Sequence, residues 1–494
     1  MSNAKKSAIA SFLLVSESFI QKLIGLASTL VLARFLVPED FGIIAMATLC
    51  IYLAEVLSDT GSQQYILSAE HVDNDVVNTS FTINLIFRVT FSALVVLLAP
   101  FIVDYYEDPR LFNIIYVLAG LTVLNCLRNP GLWLLKREQQ YGKIVKWGLI
   151  AKCLSVAVSI TMAIVLQNYW AILLAQLTSA IFFLAVSYYI HTFRPKLVLV
   201  NAKRQWRFSM WVMPQSLLGY IRTQFDTLFV SSLFSQSALG SYHTMKYLAY
   251  IPCSHVLEPA TRPLLVELSK IKNNPSHFAT QFNVTLLLVM SLALPITVFL
   301  FYYSVIVVDV LLGENWSSFS PLLGVLSLII PSYLIFHHSN RAVYVYGQTK
   351  IAAVYELLSM TFLIAILVTD KFDSVIQFAE AKVWVEAIAS ITYLIYASTK
   401  YNGMGSTFRM LVIHLPVIFS CFFSVFICSK VPSFENSLLA LLISGTVFVG
   451  TFLTNMAVFL FMLKGTNREW AYIYNLMNRA CLPVLRKLAL NKEQ

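Results

Sequence analysis

Apolar runs of about 20 residues recur along the whole chain, and that recurrence constrains the fold more than any single motif does. In hydrocarbon no water satisfies a backbone N–H or C=O, so runs of this length fold as helices whose hydrogen bonds close within the segment. Runs and breaks place spans at roughly 8–34, 41–60, 78–102, 110–135, 144–166, 169–192, 207–233, 240–268, 280–305, 320–346, 350–369, 374–398, 408–428 and 437–463. The third and tenth are long enough to tilt. A hydrophobic fraction of 58%, a mean hydropathy of +0.72 and only 12% charged residues exclude an ordinary soluble domain. The expected fold is all-α and polytopic, with about 14 transmembrane helices. Lys5 and Lys6 precede an apolar run that is too long for a cleavable leader and carries Glu17 and Lys22. The first helix is therefore expected to stay as an anchor.

Lys and Arg fix the orientation. Alternate loops collect Lys5 and Lys6, then Lys136, Arg137, Lys143 and Lys146, then Arg194, Lys196, Lys203, Arg204 and Arg207, then Lys270 and Lys272, Lys350, and Lys400 with Arg409. The tail adds Lys464, Arg468, Arg479, Arg486, Lys487 and Lys492, whereas the opposite loops carry Glu39, Asp40, Asp104, Glu107, Asp108, Asp309, Glu314, Asp370 and Asp373. By the positive-inside rule both termini are cytoplasmic, which requires an even number of spans. The loop Glu70-His71-Val72-Asp73-Asn74-Asp75 falls on the cytoplasmic side without a cation, but acids weigh little in that rule. The net charge of +10 is then loop bias, and nucleic acid is not an expected partner. Cys50, Cys126, Cys153, Cys253, Cys421 and Cys428 lie in apolar segments and Cys481 in the tail, with no metal-ligand spacing, so they read as small apolar residues.

Two blocks repeat. Thr29-Leu30-Val31-Leu32-Ala33-Arg34-Phe35-Leu36-Val37-Pro38-Glu39-Asp40-Phe41-Gly42 returns about 198 residues later as Thr227 to Gly240, keeping Thr, Leu and Gly in register. Glu17 aligns with Gln215, Ser18 with Ser216 and, after a shift of two residues, Leu57 with Leu257. Six spans separate the copies, so they are parallel repeats, an arrangement typical of transporters in which two bundles rock about a shared site. The expected division is an N-terminal six-helix bundle over 1–192, a linker over 193–206 and a second bundle over 207–398. Two further helices over 399–463 and a tail over 464–494 complete it. Trp470, Tyr472, Tyr474, Leu476 and Arg479 predict an amphipathic helix on the inner membrane surface, ending near Pro483, with a disordered basic tail as the alternative.

Charges inside spans cost about 2.5–3.5 kcal/mol on insertion scales and so face a cavity or a partner. The first six spans hold Glu17, Lys22, Glu55, Asp59, Arg88, Arg128 and Lys152. The next six hold Arg222, Asp226, Lys246, His255, Glu258, Arg262, His337, His338, Arg341, Glu356, Glu380, Lys382 and Glu386. Arg222 with Asp226, Glu258 with Arg262, and Lys382 with Glu386 stand four apart on one helical face, where a structural pair and a substrate contact both remain open. Glu55 and Asp59 repel each other at that spacing and call for a cation on another helix. Arg88, Arg128 and Arg341 have no opposite charge three or four residues away. Such arginines suit a phosphate-bearing ligand, because a guanidinium forks onto phosphate oxygens and keeps its charge; pairing with a distant helix and snorkelling are the alternatives. His337 and His338 read as interhelical hydrogen-bonding residues, with a titrating face formed by His337 and Arg341, four residues apart, as the alternative.

Enzymatic signals fail on context. Asp73-Asn74-Asp75 matches a metal-binding D-x-D pattern but stands alone in a short loop, and no P-loop, H-E-x-x-H or G-x-S-x-G is present. External loops of roughly 3–15 residues are too short for a catalytic domain.

The chain resembles the bacterial Wzx-type polysaccharide flippases of the MOP superfamily, which also holds the MATE exporters and the MurJ-type lipid II flippases. Leu32 to Gly42 carries the resemblance, with Leu57-Ser58-Asp59-Thr60-Gly61 and Leu312-Gly313-Glu314-Asn315-Trp316 in support, and the length and tail are most similar to the exopolysaccharide-exporting branch. The resemblance implies a V-shaped pair of six-helix bundles around a cationic cavity in the bacterial inner membrane. It also implies movement of undecaprenyl-diphosphate-linked oligosaccharides from the cytoplasmic to the periplasmic leaflet, alongside polysaccharide polymerase and export machinery. No cofactor is expected, and coupling to H+ or Na+ is open. In that frame Arg88, Arg128, Arg222, Arg262 and Arg341, with Lys22, are candidate diphosphate contacts. Glu17, Asp59, Asp226 and Glu258 are coupling candidates, and Trp211, Tyr220 and Tyr250 candidate sugar platforms. A cation-coupled exporter of small organic molecules shares the fold but calls for unpaired acids in the cavity. A membrane polymerase or ligase calls for a large external loop.

Overall fold

The computed structural model describes residues 3–69, 71–200, 202–257, 268, 271–369, 371–432, 434–476 and 478. The chain divides into two compact units, Met1–His243 and Thr244–Gln494. The first contains α1 (Asn3–Phe35), α2 (Pro38–Leu57), α3 (Ser62–Ser68), α4 (Asn74–Tyr106), α5 (Arg110–Cys126), α6 (Gly131–Arg137), α7 (Gly142–Leu166), α8 (Trp170–Ile190), α9 (Ala202–Leu233) and the start of α10 (Gln236–Ile251). The second holds a π-helical turn (Pro252–Leu257), α11 (Pro275–Tyr302), α12 (Ser304–Leu311), a 3-10 turn (Glu314–Phe319), α13 (Ser320–Ser327), α14 (Ile329–Val345), α15 (Thr349–Thr369), α16 (Val375–Asn402), α17 (Met404–Ile413), α18 (Leu415–Cys428) and α19 (Ser437–Leu463).

Among the described residues, 10 segments are long and apolar enough to cross a membrane, or 11 when the bent pair α5–α6 counts as one span. The fold is all-helical and polytopic. The expected fourteen differ from this count at α9 and α16, which have 32 and 28 residues but carry internal charges, and at the span expected over 240–268, part of which lies outside the described residues.

The start of α2 shows why the first repeated block has its sequence. Pro38 occupies the first helical turn, where its missing N–H is not needed. Asp40 accepts from the Val37 amide (3.3 Å) and, with its other oxygen, from the Tyr169 amide (3.1 Å), so one carboxylate caps α2 and fastens the start of α8. In the second copy Ser235 takes over the capping, accepting from the Ala238 amide at 3.3 Å. A Cβ on Gly42 would stand 1.9 Å from the carbonyl oxygen of Gln236, and one on Gly240 would stand 1.9 Å from that of Pro38. These are equivalent positions of the repeat, so α2 and α10 cross reciprocally at their first turns, backbone against backbone.

A polar latch flanks the crossing. Gln236 Nε2 donates to Asp108 Oδ2 (2.6 Å), Arg110 Nη2 donates to Gln236 Oε1 (3.0 Å), and Arg110 also pairs with Asp108 at 2.6 Å. Burial works to raise the Asp108 carboxyl, but the bonds from Arg110 and Gln236 outweigh it and hold the group below the usual carboxylate range.

The segment 191–200 is extended, not helical. Its backbone is satisfied by side chains of α4: Asn78 accepts from the Lys196 amide (2.8 Å), Thr82 from Val198 (3.1 Å) and Thr79 from Val200 (3.0 Å). A buried network follows, in which Ser80 Oγ donates to Gln205 Oε1 (2.9 Å), Gln205 Nε2 to Ser62 Oγ (2.9 Å), and Ser209 Oγ to the Thr60 carbonyl (2.6 Å). It binds the beginning of α9 to α3 and α4, which is why α9 clusters with the first unit. Asp73, half of the D-x-D pattern, is an N-cap that accepts from the Val76 amide at 2.8 Å.

In the second unit α11 is central, with Phe278, Phe282, Leu286 and Met290 in the core. Gly313 (φ +94°) makes the turn that lets Trp316, fully buried, plug the base of α13. The tail departs from expectation. Residues 468–476 are helical, but Trp470 is 1% exposed and, with Ile473, packs on Val284, Leu287, Val417 and Phe452. Glu469 is also buried, accepting from Asn283 Nδ2 (3.3 Å) and facing Arg409 (3.8 Å). Trp470 and Ile473 thus face a protein socket while Tyr472 and Leu476 stay exposed, and Arg479 and Pro483 lie outside the described residues.

Replacing Gly42 with Val is expected to overpack the crossing, lower the thermal midpoint in detergent and cost about 1–3 kcal/mol. Gly120→Ala, where no heavy atom lies within 4 Å of the new Cβ, is the control and leaves the midpoint unchanged. An equal midpoint for Gly42→Val and the wild type would show that the crossing gives way. Asp108→Asn is expected to lower the midpoint at neutral pH. Because the folded pKa of Asp108 is depressed, that difference persists above the unfolded pKa and shrinks as pH falls below about 4. A difference independent of pH between 3 and 7 in a scan of both proteins would assign the latch to Gln236 and Arg110 without the charge.

Candidate functional site

Pro130 interrupts the fourth span, and α5 and α6 meet at 59°. Asn129 holds the break: its Oδ1 accepts from the Gly131 amide (2.8 Å), and its Nδ2 donates to the carbonyls of His191 and Phe193 (both 2.8 Å). Arg128 sits in this break rather than on a regular helix. Its Nη2 donates to Asn125 Oδ1 (2.5 Å), its guanidinium lies 4.8 Å from the Phe183 ring centroid, and its Nε is buried without a hydrogen-bond partner among the described residues.

Phe183 leads to α1 and α7. A Cβ on Gly148 would lie 3.1 Å from Glu17 Oε1 and 4.0 Å from the Phe183 ring, so the missing side chain at 148 admits the Glu17 carboxylate. Gln21 Nε2 donates to Glu17 at 3.0 Å, and Lys136, which donates to Gln63 at 2.8 Å, is the cation acting on Glu17. Two turns further along α1, a Cβ on Gly25 would stand 3.8 Å from Lys152 Nζ. Lys152 and the half-buried Lys22 hold no hydrogen bond or ion pair among the described residues. Arg128, Lys136, Lys152 and Lys22 thus outnumber the single carboxylate of Glu17. A surplus of partly dehydrated cations is an arrangement that an anion can neutralise.

Other candidates have structural partners. Arg88 Nη1 lies 3.8 Å from Glu55 Oε1, which also accepts from Thr122 at 3.1 Å. For Arg88 the pairing with a distant helix is the one found, and it supplies the cation that Glu55 called for. Asp59 accepts from the Gly61 amide (3.0 Å) and from Ser216 (3.4 Å), ending α2 where Gly61 turns at φ +60°. Asp226 is buried and accepts from Tyr242 (2.7 Å) and the Thr227 amide (2.8 Å), while Arg222 is exposed one turn earlier on α9.

In the second unit Lys382 and Glu386 form the expected pair at 3.6 Å. Arg341 is half-buried one turn from the buried His338, whose ring packs 4.1 Å from that of Phe282. Arg262 and Glu258 lie outside the described residues, as does the side chain of Trp211. Tyr250 packs edge-on to Tyr333 at 5.9 Å.

Within the first unit a cavity of about 260 Å³ opens below the Gly42–Gly240 crossing, lined by α1, α2, α8, α9 and α10. Its polar groups are Thr29, Thr48, Tyr52, Gln224, Thr227 and His243, and none of its lining residues is a carboxylate. Tyr220, an expected sugar platform, is 3% exposed and donates its hydroxyl to the Leu49 carbonyl at 3.0 Å. Its ring instead buttresses Tyr52 edge-on at 5.3 Å, and Tyr52, 38% exposed, is the aromatic that faces open space. A search for charges inside spans passes over Tyr52, Thr48 and Gln224 because they are neutral. Lys136 escaped because it falls in what reads as a loop.

Several known proteins are similar to this chain. It is 26% identical over 337 residues to the lipopolysaccharide biosynthesis protein WzxC of Escherichia coli K12, covering 67% of this chain and 66% of that protein. It is 20% identical over 383 residues to the succinoglycan biosynthesis transport protein ExoT of Rhizobium meliloti, covering 76% of each. Its fold is similar to that of the lipid II flippase MurJ in an inward closed conformation, with a TM-score of 0.71 at 14% identity over 91% of this chain and 99% of that one. A MATE multidrug transporter of the MOP superfamily, inward-facing, follows with a TM-score of 0.54 at 13% identity, covering 77% of this chain and 94% of the transporter. Residues 31–321, which include the capped start of α2, the Gly42 crossing and the Gly313–Trp316 turn, match the family described as polysaccharide biosynthesis protein, and the chain belongs to that family.

Proposed function

We propose that the chain is a flippase that carries lipid-linked oligosaccharide repeat units, joined to undecaprenyl diphosphate, from the cytoplasmic to the periplasmic leaflet, and does no chemistry on them. Membership of the polysaccharide biosynthesis family carries this reading, with relatives named for polysaccharide synthesis and transport in support. The cation surplus around Arg128 supplies what a diphosphate needs: a guanidinium with a free, dehydrated N–H, and ammonium groups on α1, α6 and α7. With α9, α16 and the segment from α10 onward also spanning, the chain reaches fourteen crossings and both ends face the cytoplasm. The sugar lies in hydrated space, the prenyl tail stays in lipid, and alternating access moves the headgroup. Arg128, Lys22 and Lys136 make the first diphosphate contacts. Arg222, Arg262 and Arg341 are later ones, and Arg88 holds Glu55 in place.

Among the coupling candidates Glu17 is the best placed, because it shares its surroundings with Lys136 and the arriving anion, whereas Asp59 and Asp226 are engaged in fixed hydrogen bonds. A charge crossing the membrane field gains about 2.3 kcal/mol per 100 mV, so the potential also contributes. An exporter of small organic cations is disfavoured by the same excess of positive charge.

The test is complementation of a bacterium lacking its exopolysaccharide flippase, with variants at matched expression. Wild type is expected to restore export, Arg128→Ala to reduce it at least about tenfold, and Arg128→Lys to recover part of it, since an ammonium keeps the charge but not the fork. No rescue by wild type in hosts with a range of lipid-linked precursors would sink the flippase reading. Full rescue by Arg128→Ala would move the diphosphate site elsewhere.

A further inference from the structure

A lipid-linked saccharide presents two chemistries, a charged diphosphate and a neutral array of hydroxyls, and the cation cluster answers only the first. We propose that the cavity below the Gly42–Gly240 crossing is a subsite for one neutral sugar ring of the transported headgroup, with Tyr52 as its platform and Thr48 and Gln224 as its principal hydrogen-bonding partners. The inference rests on the flippase reading above.

The lining is of the right kind. Gln224 offers two donors and an acceptor, Thr48 one donor and two lone pairs, and neither makes a hydrogen bond among the described residues. Thr29 donates to the Gly25 carbonyl (3.0 Å) and so keeps lone pairs for an incoming hydroxyl. A sugar hydroxyl needs both roles, and this lining supplies both. Tyr52 turns an exposed ring toward the space while Tyr220 holds it from behind, and the C–H face of a pyranose packs on such a ring.

Competing occupants fit less well. A metal or alkali cation prefers oxygen donors with charge, and the carboxylate next to the lining residue Thr227, that of Asp226, is turned toward Tyr242 and the Thr227 amide. A purely apolar guest would leave Gln224 and Thr48 unsatisfied. The volume of about 260 Å³ lies just under the range of about 300–1,000 Å³ for small-molecule sites, room for a single ring and not for a repeat unit.

The experiment titrates the purified full-length protein in detergent with two probes: undecaprenyl diphosphate without sugar, and the same lipid carrying an oligosaccharide repeat unit. Wild type is expected to bind the sugar-bearing lipid more tightly. Gln224→Ala and Tyr52→Ala should each weaken that binding about threefold to tenfold and leave the bare lipid within about twofold, with Tyr52→Phe retaining the platform. Arg128→Ala should weaken both. Thermal midpoints check the fold, and Gln224→Ala, at a half-buried position with no hydrogen bond among the described residues, tests the proposal even where Tyr52→Ala is unstable. Equal loss for both probes, or loss for neither, overturns the subsite and leaves the flippase reading standing. Failure of wild type to bind either probe overturns the flippase reading, and the subsite with it.

Discussion

The approach of two helix starts at Gly42 and Gly240 is the constraint on which the first unit depends. Each glycine receives the carbonyl oxygen of the other copy's first helical residue at a distance no side chain tolerates. Such an approach brings two helix N-termini together, with their unpaired N–H groups. Pro38 contributes no N–H, Asp40 accepts from the Val37 amide at one start and Ser235 from the Ala238 amide at the other, which leaves fewer donors to be satisfied at the crossing. From there the inclination of α2 follows, and with it the face that carries Phe41, Ala45, Thr48 and Tyr52 into the cavity.

Charge inside the spans sorts into two populations once packing is known. Arg88 with Glu55, Lys382 with Glu386, and Asp226 with Tyr242 are neutralised or hydrogen-bonded in place. Around Arg128, Lys136 acts on Glu17 while Lys152 and Lys22 hold no ion pair among the described residues. In a medium of low dielectric the first population stabilises helix contacts, and the second is a cost that an anionic ligand removes.

Much of this was legible in the chain. The apolar runs give the helices, and the repeat of Gly42 at Gly240 marks the two positions that touch. The Pro38–Gly42, Asp59–Gly61 and Gly313–Trp316 blocks are backbone devices: a capped start, an Asx turn at positive φ, and a glycine turn with an aromatic plug. Spacing along one helix found Lys382 with Glu386. It could not find Arg88 with Glu55, because partners on different helices have no fixed sequence separation. The amphipathic pattern at Trp470 was real but ambiguous, since a lipid surface and a hydrophobic socket ask for the same periodicity. The extended strap over 191–200 was hidden for a similar reason, because its backbone is satisfied by Asn78, Thr79 and Thr82 more than a hundred residues away.

The separation of cations from neutral polar groups bears on how one fold serves many saccharides. A diphosphate is common to every such lipid, and a guanidinium with ammonium neighbours recognises it whatever sugar follows. Discrimination among sugars rests on hydroxyl geometry, which charge cannot read but a side-chain amide and a threonine hydroxyl can, because an unmatched buried polar group carries a penalty that an unmatched surface charge does not. On the proposed reading, substitutions around Thr48, Gln224 and Tyr52 change which headgroup fits, while a diphosphate contact at Arg128 stays as it was.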